Sequence, residues 1–211
     1  EDDEIGGYSP LMIEMGNGAA EFPDELVFGL LSAGFNQQCY DRQNFFDTEH
    51  PVNEKADGTG APTSVSNMQA GAGAAWFLLD TSRAIKPIIY QLRRKADLKA
   101  LTDPKDESVV TQDVFRFIAD SRCNVGYGFW QMAFASKAGL TKANYAKART
   151  AMMSLKSDGG KPLNVRPRIL VVPPELEAQA FEVIKAERDA SGATNTYYNS
   201  VEVLVCPWLS A

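Results

Sequence analysis

The densest group of residues able to do chemistry is Asp47-Thr48-Glu49-His50-Pro51. It sets the only histidine of the chain beside two carboxylates, and these types serve as metal ligands or as an acid–base set. A metal-dependent hydrolase using Asp47, Glu49 and His50 is the enzyme reading these residues allow. The spacing argues against it. In an extended chain, alternation aims Asp47 and Glu49 one way and His50 the other. No second histidine exists to complete a typical zinc site. His50 is therefore expected to anchor a loop through hydrogen bonds, with Tyr40, Asp41 and Arg42 bracing a loop in the same way. Cys39 and Cys123 offer nucleophiles only with His50 as their base. There is no GxSxG, P-loop or dinucleotide fingerprint, and Gly71-Ala72-Gly73 is too short to be one. The residues point to no enzyme: no catalytic residue, no metal and no cofactor is expected.

Composition narrows the class further. The chain has 211 residues, 45% hydrophobic and 23% charged, which is globular rather than disordered. That length suffices for one good core or two small ones. Its net charge of -6 argues against a general nucleic-acid binder, which would neutralise phosphates with Lys and Arg. Arg93-Arg94-Lys95 is the only dense basic run. It reads either as a solvated strand end or as a contact for phosphate or a partner. Cys39, Cys123 and Cys206 are odd in number and lack metal-ligand spacing, so they read as reduced cytosolic thiols. No apolar run approaches the ~20 residues needed to span a bilayer, and no signal peptide is visible. The chain opens on Glu1-Asp2-Asp3-Glu4 without methionine, and an internal start with sequence upstream is expected.

The elements that must position these residues begin with a long, interrupted helical rod, Ile5 to Phe35. Ser9 is a candidate N-cap with Pro10 in the first turn. Leu11, Met12, Met15 and Ala19 recur at helical spacing. Pro23 is expected to break or kink the rod, with a second helix restarting at Asp24 and ending at Gly34. A short strand or hairpin is expected around Tyr40, Phe45 and Phe46. Residues 51–73 are polar and small, and a segment of that kind reads as a mobile or extended loop. Strands are expected over Trp76–Leu79, Ile85–Leu92, Val109–Ile118 and Arg122–Phe134. Pro87 suits a strand start, and Gly126 and Gly128 suit a bulge or close packing. From Thr141 the pattern becomes helix–strand–helix–strand. Thr141 caps a helix carrying Tyr145, Ala148 and Met152. A fully apolar strand Ile169–Val172 follows, of the type buried on both sides. A helix opens at Pro173-Pro174-Glu175, and a last strand runs from Val201 to Cys206.

Taken in order, several stretches resemble the major head (capsid) subunit of Mu-like phages and prophages. They are EDDEIGGYSPLMIEMG, FPDELVFGLLSAGF, CYDRQNFFDTEHPV, WFLLDTSRAIKPIIYQ, DSRCNVGYGFWQMAFAS, ANYAKARTAMMS, RILVVPPELEAQA and VEVLVCPWL, and together they reach from Glu1 to Leu209. The chain departs from the family pattern at Arg42, where members usually have glycine. The resemblance implies an α+β fold of the Hong Kong 97-like phage capsid type. Residues 1–140 would be its peripheral-type domain, with spine helix 5–35, mobile loop 51–73 and long strands 76–134. Residues 141–211 would be a small α/β axial-type domain. In that fold an N-terminal arm and an extended β-loop precede the spine helix. In its commonest version the long strands follow the axial domain, whereas here they precede it.

What the resemblance implies for function is a structural protein of the virion, assembled in the host bacterial cytoplasm. Copies would self-assemble as hexamers and pentamers into an icosahedral shell around double-stranded DNA, bound without sequence specificity. Scaffold, protease and portal proteins would be further partners, and no membrane. A bacterial encapsulating shell protein of the same fold is the other reading within this class. Candidate self-assembly contacts are Arg93 and Arg94, with Asn195, Tyr197 and Tyr198 in the polar loop 189–200. Tyrosines there supply buried area at low entropic cost.

Overall fold

The computed structural model describes residues 8–101, 103, 105, 107–112, 116–189 and 191–210. Its centre is a five-stranded sheet. In chain order the first elements are helix α1 (Tyr8–Ala33) and strands β1 (His50–Val52), β2 (Thr63–Val65), β3 (Met68–Gln69) and β4 (Trp76–Leu79). Strand β5 (Ile88–Leu101), helix α2 (Glu107–Gln112) and strands β6 (Arg116–Tyr127) and β7 (Ala133–Ser136) follow. Helix α3 (Lys142–Met153), strand β8 (Ile169–Val172), helix α4 (Glu177–Ile184) and strand β9 (Glu202–Val205) complete the chain. The sheet order is β3-β7-β4-β8-β9. β4 is antiparallel to both β7 and β8, while β3 runs parallel to β7 and β9 parallel to β8.

Both faces of this sheet are covered, so its strands β4 and β8 are apolar at every position rather than alternating. All four residues of β4 are buried. Trp76, Leu78, Phe134, Leu170 and Val172 pack with Tyr145, Ala148 and Met152 of α3 and Ala180, Val183 and Ile184 of α4. Phe77, Ala133, Ala135 and Val171 pack on the other face with Leu31, Phe45, Phe46 and Trp130. The α3 cap is as read from sequence: Thr141 Oγ1 accepts the Asn144 N–H at 3.2 Å. The boundary expected at residue 140 falls inside the sheet, since β3, β4 and β7 precede it and β8 and β9 follow it.

Two compact units are present: residues 1–89 with 126–211, and Tyr90–Val125. The second consists mainly of the paired strands β5 and β6 with α2 between them in sequence. Arg94 and Asp120 form an ion pair across those strands.

Several expectations are corrected. α1 runs through Pro23 without a break, and it has already begun at Tyr8, so Ser9 lies within it. A proline in a helix forfeits one N–H bond to the carbonyl four residues back. That residue is Ala19, which is small and exposed, so water can take the freed carbonyl. The expected apolar side of the first half is not buried: Met15 is 68% exposed, and burial begins near Phe28 and Leu31. The side chains of Leu11 and Met12, and residues 5–7 of the rod, lie outside the described residues. Gly34 follows the helix for a packing reason. A Cβ there would lie 2.8 Å from the Phe46 ring.

Part of the segment expected to be a mobile or extended loop forms a hairpin. β1 pairs antiparallel with β2, His50 opposite Val65 and Val52 opposite Thr63. β-Branched residues at the paired positions and a turn with Gly58 at φ 80° make this hairpin, and the polar composition hid them. Part of the strand expected over Val109–Ile118 is α2, opened by Glu107, and β6 begins only at Arg116. The strand expected over Arg122–Phe134 is interrupted. β6 ends at Tyr127, a 3-10 turn takes Trp130–Met132, and β7 follows. Gly128 makes the break possible: a Cβ there would lie 2.0 Å from the Lys86 carbonyl oxygen.

Candidate functional site

His50 is fully buried, and two loops and a strand converge on it. Its ring stacks on Trp130, with centroids 4.0 Å apart and planes at 9°. Nδ1 lies 2.7 Å from Asp41 Oδ2, and Nε2 lies 3.2 Å from Asn67 Oδ1. Asp41 sits on the turn closed by the Gln38–Asn44 bridge. Its Oδ1 accepts from the Cys39 thiol at 3.0 Å and from the Gln43 N–H at 3.1 Å. Burial by itself would raise the Asp41 pKa. The hydrogen bonds from Cys39, His50 and Gln43 outweigh it and hold the carboxyl below the usual range. Burial, reinforced by the thiol's bond to Asp41, pushes Cys39 up to about 12, which makes it an inert thiol rather than a nucleophile. Arg42 stands at φ 69° in this turn.

Asn67, also fully buried, joins the group to the sheet. Its Nδ2 donates to the Phe45 carbonyl at 2.8 Å and to those of Trp130 and Ala133 at 3.4 Å. Its Oδ1 accepts the Asp47 N–H at 2.9 Å. His50 is thus a loop anchor, as its sequence context suggested, but its partners are Asp41 and Asn67. Asp47 and Glu49 are not brought to it. Asp47 caps its own turn, accepting the N–H groups of Thr48 at 2.7 Å and Glu49 at 3.2 Å, and Glu49 is exposed. The hydrolase set does not form. Among the described residues, Cys39, Asp41 and His50 are instead the cluster whose ligand atoms converge, all within 4.8 Å of one another. The sequence signal that finds it is Cys39-X-Asp41 ahead of the single histidine. An open cavity of about 870 Å³ lies against this cluster, lined by Tyr40, Asp41, Phe129, Trp130, Gln131 and Lys156 among others.

The candidate assembly contacts are placed differently from one another. Asn195 is buried: its amide donates to the carbonyls of Val183 and Ala186, each at 2.9 Å, and its oxygen accepts the Tyr197 N–H at 3.0 Å. It shapes the loop from inside instead of presenting a contact. Tyr197 is half-buried, its ring edge-on to Tyr145 at 5.2 Å. Tyr198 is exposed, with its hydroxyl donating to Glu187 at 3.4 Å. Arg93 is exposed, and Arg94 is exposed but paired with Asp120. None of these residues joins the His50 cluster.

Chains of a solved phage head match this fold. A chain of the bacteriophage JBD30 procapsid superposes with a TM-score of 0.87 at 52% identity, covering 99% of this chain and 71% of that one. A chain of the JBD30 capsid matches with a TM-score of 0.80 at 37% identity, over 99% and 70%. The fold is therefore the α+β, Hong Kong 97-like fold of phage capsid proteins. Within that class, the model of the Mu-like prophage major head subunit gpT matches residues 1–209, and the chain belongs to that family. It is 50% identical over 192 residues to the Mu-like prophage FluMu major head subunit of Haemophilus influenzae. It is 45% identical over 215 residues to the major capsid protein of Escherichia phage Mu. It spans 62% of the length of the first and 70% of the second.

Proposed function

We propose that this chain forms the shell wall of a Mu-like phage or prophage head, as a structural part of its major capsid subunit. The observation that carries the reading is the match to the head-subunit family over residues 1–209, together with near-complete superposition on a procapsid chain. Copies of the subunit associate as hexamers and pentamers, and the shell encloses double-stranded DNA held without base recognition. Assembly takes place in the host cytoplasm with scaffold, protease and portal proteins as partners. Among the described residues no helix is long and apolar enough to cross a membrane. We assign a peripheral role to α1 and an axial role to the α/β portion 141–211, where Tyr198 meets neighbouring copies. Exposed apolar side chains such as Ile13 and Met15 on α1 support an assembling surface. Sedimentation velocity on the intact gene product tests this. A fast, homogeneous boundary of shell size is expected, and a slow monomer boundary at every concentration would refute it.

A further inference from the structure

The hydrogen bonds around His50 do not close with a neutral ring. The Asn67 amide has one possible orientation, because its nitrogen faces the carbonyls of Phe45, Trp130 and Ala133 and its oxygen takes the Asp47 N–H. That oxygen faces Nε2, so Nε2 carries a hydrogen. Nδ1 of a neutral ring is then a bare lone pair, and it lies 2.7 Å from a carboxylate oxygen of Asp41. Two acceptors in contact require something positive between them. A proton is one answer, and the third group at this point suggests another. The Cys39 sulfur is 3.0 Å from the other oxygen of Asp41.

We propose that Cys39, Asp41 and His50 form a three-ligand site for a divalent cation of the zinc class. One sulfur, one oxygen and one imidazole nitrogen within 4.8 Å of one another are a donor set that suits zinc better than magnesium or calcium. Zinc bonds of about 2.0–2.3 Å in a tetrahedron set ligand atoms roughly 3.2–3.8 Å apart. The Nδ1–Oδ2 and Sγ–Oδ1 pairs need to open by less than about 1 Å, and the widest pair, within 4.8 Å, to close by about 1 Å, for the sulfur, the nitrogen and a carboxylate oxygen to meet one ion. The surroundings are those a metal-bound histidine requires. Asn67 holds the outer ring N–H and so fixes the tautomer that presents Nδ1. Trp130 holds the plane of the ring. Asp41 also lines the open cavity, a route by which water could reach a fourth position. On binding, the Cys39 thiol loses its proton to solvent and the sulfur–metal bond forms, with no change of oxidation state. The ion would clip the turn at Asp41 to strand β1. This is independent of the shell-forming role, so either can fail alone.

The test uses the 211-residue protein after treatment with chelator and dialysis. Zinc chloride is titrated by calorimetry, and cobalt(II) is added as a spectroscopic probe. The expected result is one zinc per chain, a higher melting temperature with zinc, and tetrahedral cobalt bands with a sulfur-to-cobalt charge-transfer absorption. Cys39→Ser should abolish the charge-transfer band and weaken binding by about tenfold or more. Cys123→Ser, the thiol control in the other compact unit, should change neither. Wild-type protein that takes up no zinc and melts at one temperature with or without it would overturn the site, leaving a proton alone between His50 and Asp41. A cobalt spectrum that survives Cys39→Ser would overturn it equally. Because the wild-type titration decides by itself, a variant that fails to fold does not protect the proposal.

Discussion

Replacing Asn67 by alanine removes the residue that ties the histidine turn to the sheet, and its effect can be worked from the contacts. Two hydrogen bonds are short, Nδ2 to the Phe45 carbonyl at 2.8 Å and the Asp47 N–H to Oδ1 at 2.9 Å. Three are longer, at 3.2 Å to His50 and 3.4 Å to the carbonyls of Trp130 and Ala133. The longer pair of carbonyl contacts shares one amide and contributes little. Deletion strands the Phe45 carbonyl and the His50 Nε2–H in a site that is 0% exposed, at about 1–3 kcal/mol for each unpaired buried group. The Asp47 N–H is only part-buried and recovers water, so it adds little. The sum is about 2–6 kcal/mol. In a chain of this size ~1 kcal/mol moves the melting temperature by about 2–4 °C, so a fall of roughly 4–24 °C is expected. Circular dichroism melts and urea titration with unchanged slope measure it. Asp47→Ala, which deletes only the exposed caps of Thr48 and Glu49, should cost no more than ~1 kcal/mol. A fall of under 2 °C for Asn67→Ala, or equal effects from the two variants, would refute the assignment of Asn67 as the buried tie.

Arg42 holds a left-handed backbone at φ 69°, so Arg42→Gly should leave the melting temperature unchanged or raise it, while Arg42→Val should lower stability by about 1–2 kcal/mol. A less stable glycine variant would show that the arginine side chain, not the turn, governs this position. Gly128→Ala would place a Cβ 2.0 Å from the Lys86 carbonyl and should destabilise by about 2 kcal/mol or more, read by the same melts. Acid should weaken the fold through Asp80, a buried carboxylate that accepts the Arg166 N–H at 2.9 Å and the Ser82 N–H at 2.9 Å. Burial would raise its pKa, but these bonds win and depress it. Its contribution is therefore complete above the unfolded value near 3.8 and is lost as pH falls through the lower folded value. In Asp80→Asn that part of the acid dependence should disappear, and an unchanged acid arm would refute the role. Tyr198→Asp should shift the melting temperature by less than ~2 °C but stop the intact gene product from forming regular heads. Regular heads from that variant would show that the loop makes no important contact.

Much of the fold was legible wherever burial wrote its own pattern. The apolar runs Trp76–Leu79 and Ile169–Val172 are strands covered on both faces, and Thr141 caps the helix it was read to cap. Errors arose where one residue type was weighed without its surroundings. Pro23 does not break α1, and the carbonyl it leaves without a partner belongs to Ala19, an exposed residue. The polar stretch after His50 hid a hairpin whose register depends on a few β-branched residues. The candidate site was half legible. His50 was recognised as an anchor, but its partners Asp41 and Asn67 lie 9 and 17 residues away in sequence, beyond the reach of local spacing. Asn195 was chosen for its polar loop, yet its amide closes that loop from within. Whether a polar side chain faces solvent or the interior is decided by tertiary packing, which a composition count does not contain.

Electron microscopy of the intact gene product, negatively stained after expression in bacteria, tests the central claim most directly. A shell-building head subunit should give closed, uniform icosahedral particles, or free hexamers and pentamers where assembly stalls. A field of small single subunits, unchanged as concentration is raised, would contradict it.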